Sequence, residues 1–127
     1  MKYIFDNCIS FRYAAMLSAL NEDVVALRDL CDVNISDIDL FAYLKDKGRV
    51  FVTIDDRQKT RVRESRALRD AGLTALWFGP FWDRKKFWDQ ARWLVNRWPI
   101  IDGFARGAVQ GTCAEIKENG KAMAFSL

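Results

Sequence analysis

Short apolar runs and longer stretches of helical periodicity alternate along most of the chain. Tyr3-Ile4-Phe5 is an uninterrupted apolar run closed by Asp6-Asn7, the pattern of a short strand buried on both faces. Ile9, Tyr13, Met16, Leu17 and Leu20 recur at helical spacing and predict a helix from Ile9 to Leu20. After the polar break Asn21-Glu22-Asp23, Val24-Val25-Ala26-Leu27 reads as a second strand. Ser36 or Asp37 caps a further helix, whose one side is marked by Ile38, Phe41, Ala42 and Lys45 and which Gly48 terminates. Val50-Phe51-Val52-Thr53-Ile54 is the clearest strand, and it too runs into aspartate, at Asp55-Asp56.

A basic helix is expected from Lys59 to Ala71, stopped by Gly72, and Leu73–Phe78 supplies a fourth strand closed by Gly79-Pro80. From Asp83 onward Phe87, Ala91, Leu94, Val95 and Trp98 mark an amphipathic helix, which Pro99 interrupts. A short helical piece at Ile100–Gly107 follows. In the tail "EIKENGKAMAF", Asn119-Gly120 is a hairpin turn between two short strands. The order is β-α-β-α-β-α-β-α with a C-terminal hairpin. This alternation, with uncharged strands, predicts an α/β fold with a parallel sheet flanked by helices. Sites in such sheets lie beyond the carboxyl ends of the strands, so Asp6 and Asp55 emerge on one edge. On neighbouring strands they stand about 5 Å apart.

Composition narrows the class. At 127 residues, half of them hydrophobic, the chain reads as one domain over 1–127, with 107–127 as a C-terminal appendage. No apolar run approaches the roughly 20 residues of a membrane span, and the first residues lack the pattern of a signal peptide. Three widely spaced cysteines, Cys8, Cys31 and Cys113, suit reduced thiols, so a cytoplasmic protein without a membrane partner is expected. The absence of histidine excludes Ser-His-Asp and Cys-His catalysis and His-rich zinc sites. Chemistry is left to carboxylates, lysine, cysteine, hydroxyls or a metal held by oxygen.

Two carboxylates brought to one sheet edge repel each other unless a cation stands between them, and Mg2+ and Mn2+ favour such oxygen ligands. Asp37, opening its helix at the same edge, is the third candidate ligand. Its competing role is as an N-cap. Asn7, Ser10 and Thr53 are the supporting polar groups, placed to orient Asp6 or a water on the metal. The net charge of +3 is mild, but Arg57, Lys59, Arg61, Arg63, Arg66 and Arg69 face a single acid, Glu64, in the segment after Asp55. That segment is the candidate RNA contact, against the plainer reading of a solvated helix face. Of the five Trp, Trp82, Trp88 and Trp93 fall off the helical stripe and are expected at the surface as a patch for a protein partner.

The segments "FDNCIS", "SDIDLFAYLKDKG", "VFVTIDD", "LRDAGLTALWFGPFW" and "FWDQARWLVNRWP" together resemble the PIN-like domain family, from Met1 to about Pro99. This is the Rossmann-like fold of metal-dependent ribonucleases that includes the VapC-type toxins of bacterial toxin–antitoxin pairs. The resemblance carries the family's functional acids onto Asp6, Asp37 and Asp55, with Mg2+ or Mn2+ as cofactor. Many PIN domains use a fourth acid, for which Asp39 and Asp56 are the candidates. It also implies an endoribonuclease with RNA as substrate and a protein antitoxin or a second copy as partner. Two other readings stand beside it: a catalytically inactive PIN-like module that binds RNA or protein, and a receiver-like phosphoryl-transfer domain. The receiver reading lacks an acidic pair after the first strand, where only Asp6-Asn7 stands.

Overall fold

The computed structural model describes residues Met1–Leu127. In chain order the elements are β1 (Lys2–Phe5), α1 (Phe11–Ala19), β2 (Asp23–Ala26), α2 (Leu27–Leu30), α3 (Asp37–Leu44) and β3 (Arg49–Thr53). There follow α4 (Arg57–Thr60), α5 (Val62–Ala71), β4 (Ala75–Phe78), a 3-10 turn at Pro80–Arg84, α6 (Phe87–Gly107), β5 (Cys113–Ile116) and β6 (Ala122–Phe125). The strands form one six-stranded sheet in the order β2-β1-β3-β4-β5-β6. Every pair is parallel except β5 with β6. The expected α/β fold, a mostly parallel sheet ending in a C-terminal hairpin, is therefore what the chain adopts. The hairpin is continuous with the main sheet, because β5 pairs with β4.

Alternate strand residues build two cores, as the period of a strand requires. Tyr3, Phe5, Val50, Val52, Leu76, Phe78, Ala114 and Ile116 face one side, where α1 and α6 contribute Tyr13, Leu17, Leu94, Trp98 and Ile101. Ile4, Phe51, Ala75, Trp77 and Cys113 face the other, against Leu40, Phe41 and Leu44 of α3 and Leu68 of α5. Strands buried on both faces explain the unbroken apolar runs of β1, β3 and β4. The chain passes from β1 outward to β2 and then crosses to β3 on the opposite side of β1. The topological switch point lies between the carboxyl ends of β1 and β3.

Several element boundaries differ from the sequence pattern for identifiable reasons. The third helix stops at Leu44, ahead of Gly48, because Lys45 turns extended and Asp46 (φ 64°) enters the left-handed region. The basic segment is two helices, broken at Arg61, whose ψ is 129°. On one straight helix Gln58 and Leu68 would point about 80° apart, and the break lets both be buried. Gly72 does end α5 as expected, in the left-handed conformation at φ 66°.

Pro99 does not interrupt α6, which runs unbroken to Gly107. Its missing N–H faces the carbonyl of Val95 on the solvent side, while Trp98, Ile101 and Ala105 anchor the helix from within. The buried face is also rotated from the expected stripe. Trp93 (6% exposed) and Trp82 (2%) are buried, and only Trp88, at 71%, stands out in solvent as expected of all three. Trp93 packs on Phe78, Phe81 and Trp82. Its indole N–H donates to the Glu118 carbonyl of the hairpin loop at 2.7 Å.

This rotation separates two adjacent residues of the expected stripe, since Leu94 is fully buried and Val95 is 40% exposed. Leu94→Ala is expected to lower stability by about 2–5 kcal/mol. Val95→Ala costs less than about 1 kcal/mol by comparison. Urea unfolding midpoints of the two variants check the assignment.

Candidate functional site

The register of β1 and β3 builds the site. Phe5 pairs with Val52, and the Asp6 N–H continues the ladder to the Val52 carbonyl at 2.9 Å. Asp6 is thereby set beside Thr53, with both side chains on the α3/α5 side of the sheet. The position next to Asp6 across the strands is thus taken by Thr53, with Asp55 two residues further along. The Thr53 hydroxyl donates to Asp6 Oδ2 at 2.8 Å. The Asn7 N–H donates to Asp6 Oδ1 at 2.8 Å, and the Gln58 amide Nε2 donates to Oδ2 at 3.1 Å. Only 8% of Asp6 is exposed, and a carboxylate so placed requires such donors.

Asp55 sits in the turn after β3. Its N–H donates to Thr53 Oγ1 at 3.1 Å, and its carbonyl accepts from the Trp77 indole at 3.1 Å. The Arg57 guanidinium forks onto its carboxylate, Nε to Oδ1 at 2.9 Å and Nη2 to Oδ2 at 3.0 Å. Burial pushes the Asp55 carboxyl up, but the Arg57 hydrogen bonds and the charges of Arg57 and Arg61 outweigh it and hold the group below the ordinary value.

Asp37 is the first residue of α3. Ser36 is the cap, its Oγ accepting the Asp39 N–H at 3.1 Å, which leaves the Asp37 carboxylate free of capping duty. The Asp37 carboxyl is raised, first by burial, with hydrogen bonding from Gln58 opposing and the charges of Asp6, Asp55 and Glu64 adding to the rise. Asp6, Asp37 and Asp55 thus share one field at the switch point.

The remaining candidates are distributed around this centre. Asp56 is exposed and pairs with Lys59 at 3.1 Å, and Asp39 is exposed on the first turn of α3. The acid whose charge reaches Asp37 from outside the trio is Glu64. Ser10 caps α1, accepting from the Arg12 N–H, and the Asn7 side chain donates to the Val33 carbonyl at 2.9 Å. A cleft of about 320 Å³ opens beside Asp6, lined by Asn7, Ser10, Phe11, Arg28 and Val33 among others. Of the basic residues, Arg57 is engaged by Asp55, and Lys59 by Asp56 and the faces of Trp77 and Phe125. Arg61, Arg63 and Arg66 are exposed.

The Cys8 sulfur lies 3.3 Å from Thr53 Oγ1 and 3.6 Å from Asp6 Oδ2. Burial and the Asp6 charge push its thiol up to about 12, so it stays protonated and is no nucleophile. Gln58 and Glu64 are the site residues that no sequence pattern marks. Glutamine is ordinarily exposed, and Glu64 reads as the lone acid of a basic run.

The donors gathered here are carboxylate, hydroxyl and amide oxygens, the set that suits a hard divalent cation such as Mg2+ or Mn2+. As the side chains stand, no three Asp, Glu or Cys groups are close enough to share one ion. Arg57 provides the positive charge at Asp55. The set therefore fits such a cation in kind, with Asp55 turned to an internal counter-ion.

A doubly wound sheet with buried and half-buried aspartates at its switch point defines the class. A family model described as "PIN like domain" matches residues 1–80, and the chain belongs to that family. No curated protein and no solved structure matches the chain.

Two consequences for pH and stability follow. Folded Asp37 holds its proton more tightly than unfolded, so its charge costs stability, and that cost develops as the pH rises from about 4 through the raised value. Asp55 is opposite: its pairing stabilises above about pH 4 and is lost as the pH falls through the lowered value. Asp37→Asn is expected to raise the urea midpoint of the metal-free protein at neutral pH, and Arg57→Ala to lower it. Carboxyl 13C titration checks the order directly, Asp37 above Asp55. Thr53→Val, which keeps the shape and removes a donor from buried Asp6, costs about 1–3 kcal/mol in the same unfolding assay.

Proposed function

We propose that the protein is an endoribonuclease dependent on Mg2+ or Mn2+, hydrolysing RNA phosphodiester bonds at the Asp6–Asp37–Asp55 site. The observation that carries this reading is the buried Asp6 carboxylate, held by Thr53 at the carboxyl edge of a PIN-like sheet. Asp6, Asp37 and Asp55 are the residues that would hold the cation, with Arg57 released from Asp55. The ion, when bound, supplies the charge that activates water and stabilises a phosphoryl group. Thr53, the Asn7 N–H and Gln58 keep the Asp6 carboxylate aimed. Arg61, Arg63 and Arg66 draw the RNA backbone toward the edge. Arg57, once displaced from Asp55, becomes available to a phosphate, which its fork suits as well as it suits a carboxylate.

The toxin role implied by the family resemblance gives this enzyme a cytoplasmic setting and a protein antitoxin as partner. Trp88 (71% exposed) beside Phe87 (43%) offers apolar surface for that partner or for a second copy. A second reading has its own support. With Arg57 neutralising Asp55 and no three acids within reach of one ion, the fold also suits a non-catalytic module that binds RNA or protein.

Incubation of the purified chain with RNA and Mn2+ separates the two. The enzyme reading expects cleavage that EDTA abolishes and that Asp6→Asn and Asp55→Asn reduce to background. Equal cleavage by all three proteins sinks the site, and RNA binding without Mn2+-dependent cleavage favours the module. RNA affinity measured against salt tests the basic face. For the triple variant Arg61→Ala, Arg63→Ala, Arg66→Ala, the slope of log K on log salt is expected to become shallower by about 0.7 for each phosphate no longer neutralised.

A further inference from the structure

We infer that Gln58 is the positioning residue that orients Asp6 for a divalent cation. The inference deepens the metal-dependent reading above and rests on it. Gln58 is 0% exposed, although it belongs to a four-residue helix, Arg57–Thr60, whose end residues are both exposed. Glutamine is seldom buried so fully, and filling the space calls for no polar group. Its Nε2 donates to Asp6 Oδ2 at 3.1 Å.

The carbonyl end of the same amide carries the stronger argument. Gln58 Oε1 is the one buried side-chain nitrogen or oxygen of the protein without a hydrogen-bond partner. A buried acceptor left in this way is costly, so something else sets the amide's direction. Turning it over would place Oε1 against Asp6 Oδ2, oxygen against charged oxygen. The carboxamide therefore gives up its acceptor in order to direct its donor at Asp6.

The effect on Asp6 is directional. A carboxylate offers about four lone-pair sites. Thr53 and Gln58 both take Oδ2, the Cys8 thiol lies against the same oxygen at 3.6 Å, and the Asn7 N–H takes Oδ1. These donors fix the carboxylate plane and leave the remaining lone pair on Oδ1. That is the work of a partner that orients a ligand without touching the ion.

Calorimetric titration of the metal-free full chain with Mn2+ tests this, comparing wild type, Gln58→Met, Gln58→Leu and Asp6→Asn. Methionine fills similar volume without donors, so a packing role leaves Mn2+ affinity unchanged, whereas a positioning role weakens it about 10- to 100-fold. Any one folded Gln58 variant decides the point. On the wild type, Mg2+ is also expected to shift the Gln58 side-chain amide signals together with the Asp6 carboxyl carbon. Unchanged affinity in a folded Gln58 variant, with Asp6→Asn defective, overturns the role of Gln58 and leaves the nuclease reading standing. An unshifted Gln58 amide when the Asp6 carbon shifts has the same meaning. Absence of Mn2+ binding by the wild type overturns both.

Discussion

The burial of one charge, the Asp6 carboxylate, organises this end of the molecule. With 8% of the residue exposed, water cannot solvate it adequately, and protein donors must. Those donors come from Asn7 next in sequence, Thr53 on the neighbouring strand and Gln58 in the segment beyond it. They converge only if β1 and β3 are parallel neighbours in the observed register and the chain after β3 folds back over the sheet edge. A shift of β3 by one residue would turn Thr53 to the opposite face and expose the core side chains of the strand.

The same constraint links the cores to the chemistry. The α3/α5 side of the sheet is packed by Ile4, Phe51 and Trp77, and Asp6 and Thr53 continue that face to the edge. Trp77 belongs to both regions, since its ring is core and its indole N–H holds the Asp55 carbonyl. Asp55 is held below its ordinary proton affinity by Arg57, while Asp37 is held above by burial and by its fellow acids. Two carboxyls at one edge are thus separated in proton affinity, one by the guanidinium it faces and the other by burial, with its fellow acids adding to it.

How much of this is legible in the chain depends on the range of the cause. The strands, the aspartates that follow β1 and β3, Gly72 as a helix stop and the Asn119-Gly120 turn are local, and their residues announce them. In the hairpin, the Asn119 side chain accepts from the Lys121 N–H and Gly120 takes φ 87°, as turn chemistry requires. The buried face of α6 is not legible in this way, because Trp93 and Trp82 are covered by the hairpin loop and the aromatic cluster on β4, partners that helical spacing does not reveal. The break at Arg61 is equally hidden, because it reconciles two buried residues, Gln58 and Leu68, that pack in different places.

The sequence by itself determined the α/β alternation, the doubly buried strands and the presence of aspartates at the carboxyl edge, because apolar periodicity and turn residues act over a few positions. Only the tertiary structure decided which groups meet there. Thr53 stands beside Asp6, Arg57 closes on Asp55, Glu64 reaches Asp37, and a glutamine from a basic run is buried among the acids. Each of these depends on strand register and on the path of a loop, and both are set by packing across the whole sheet.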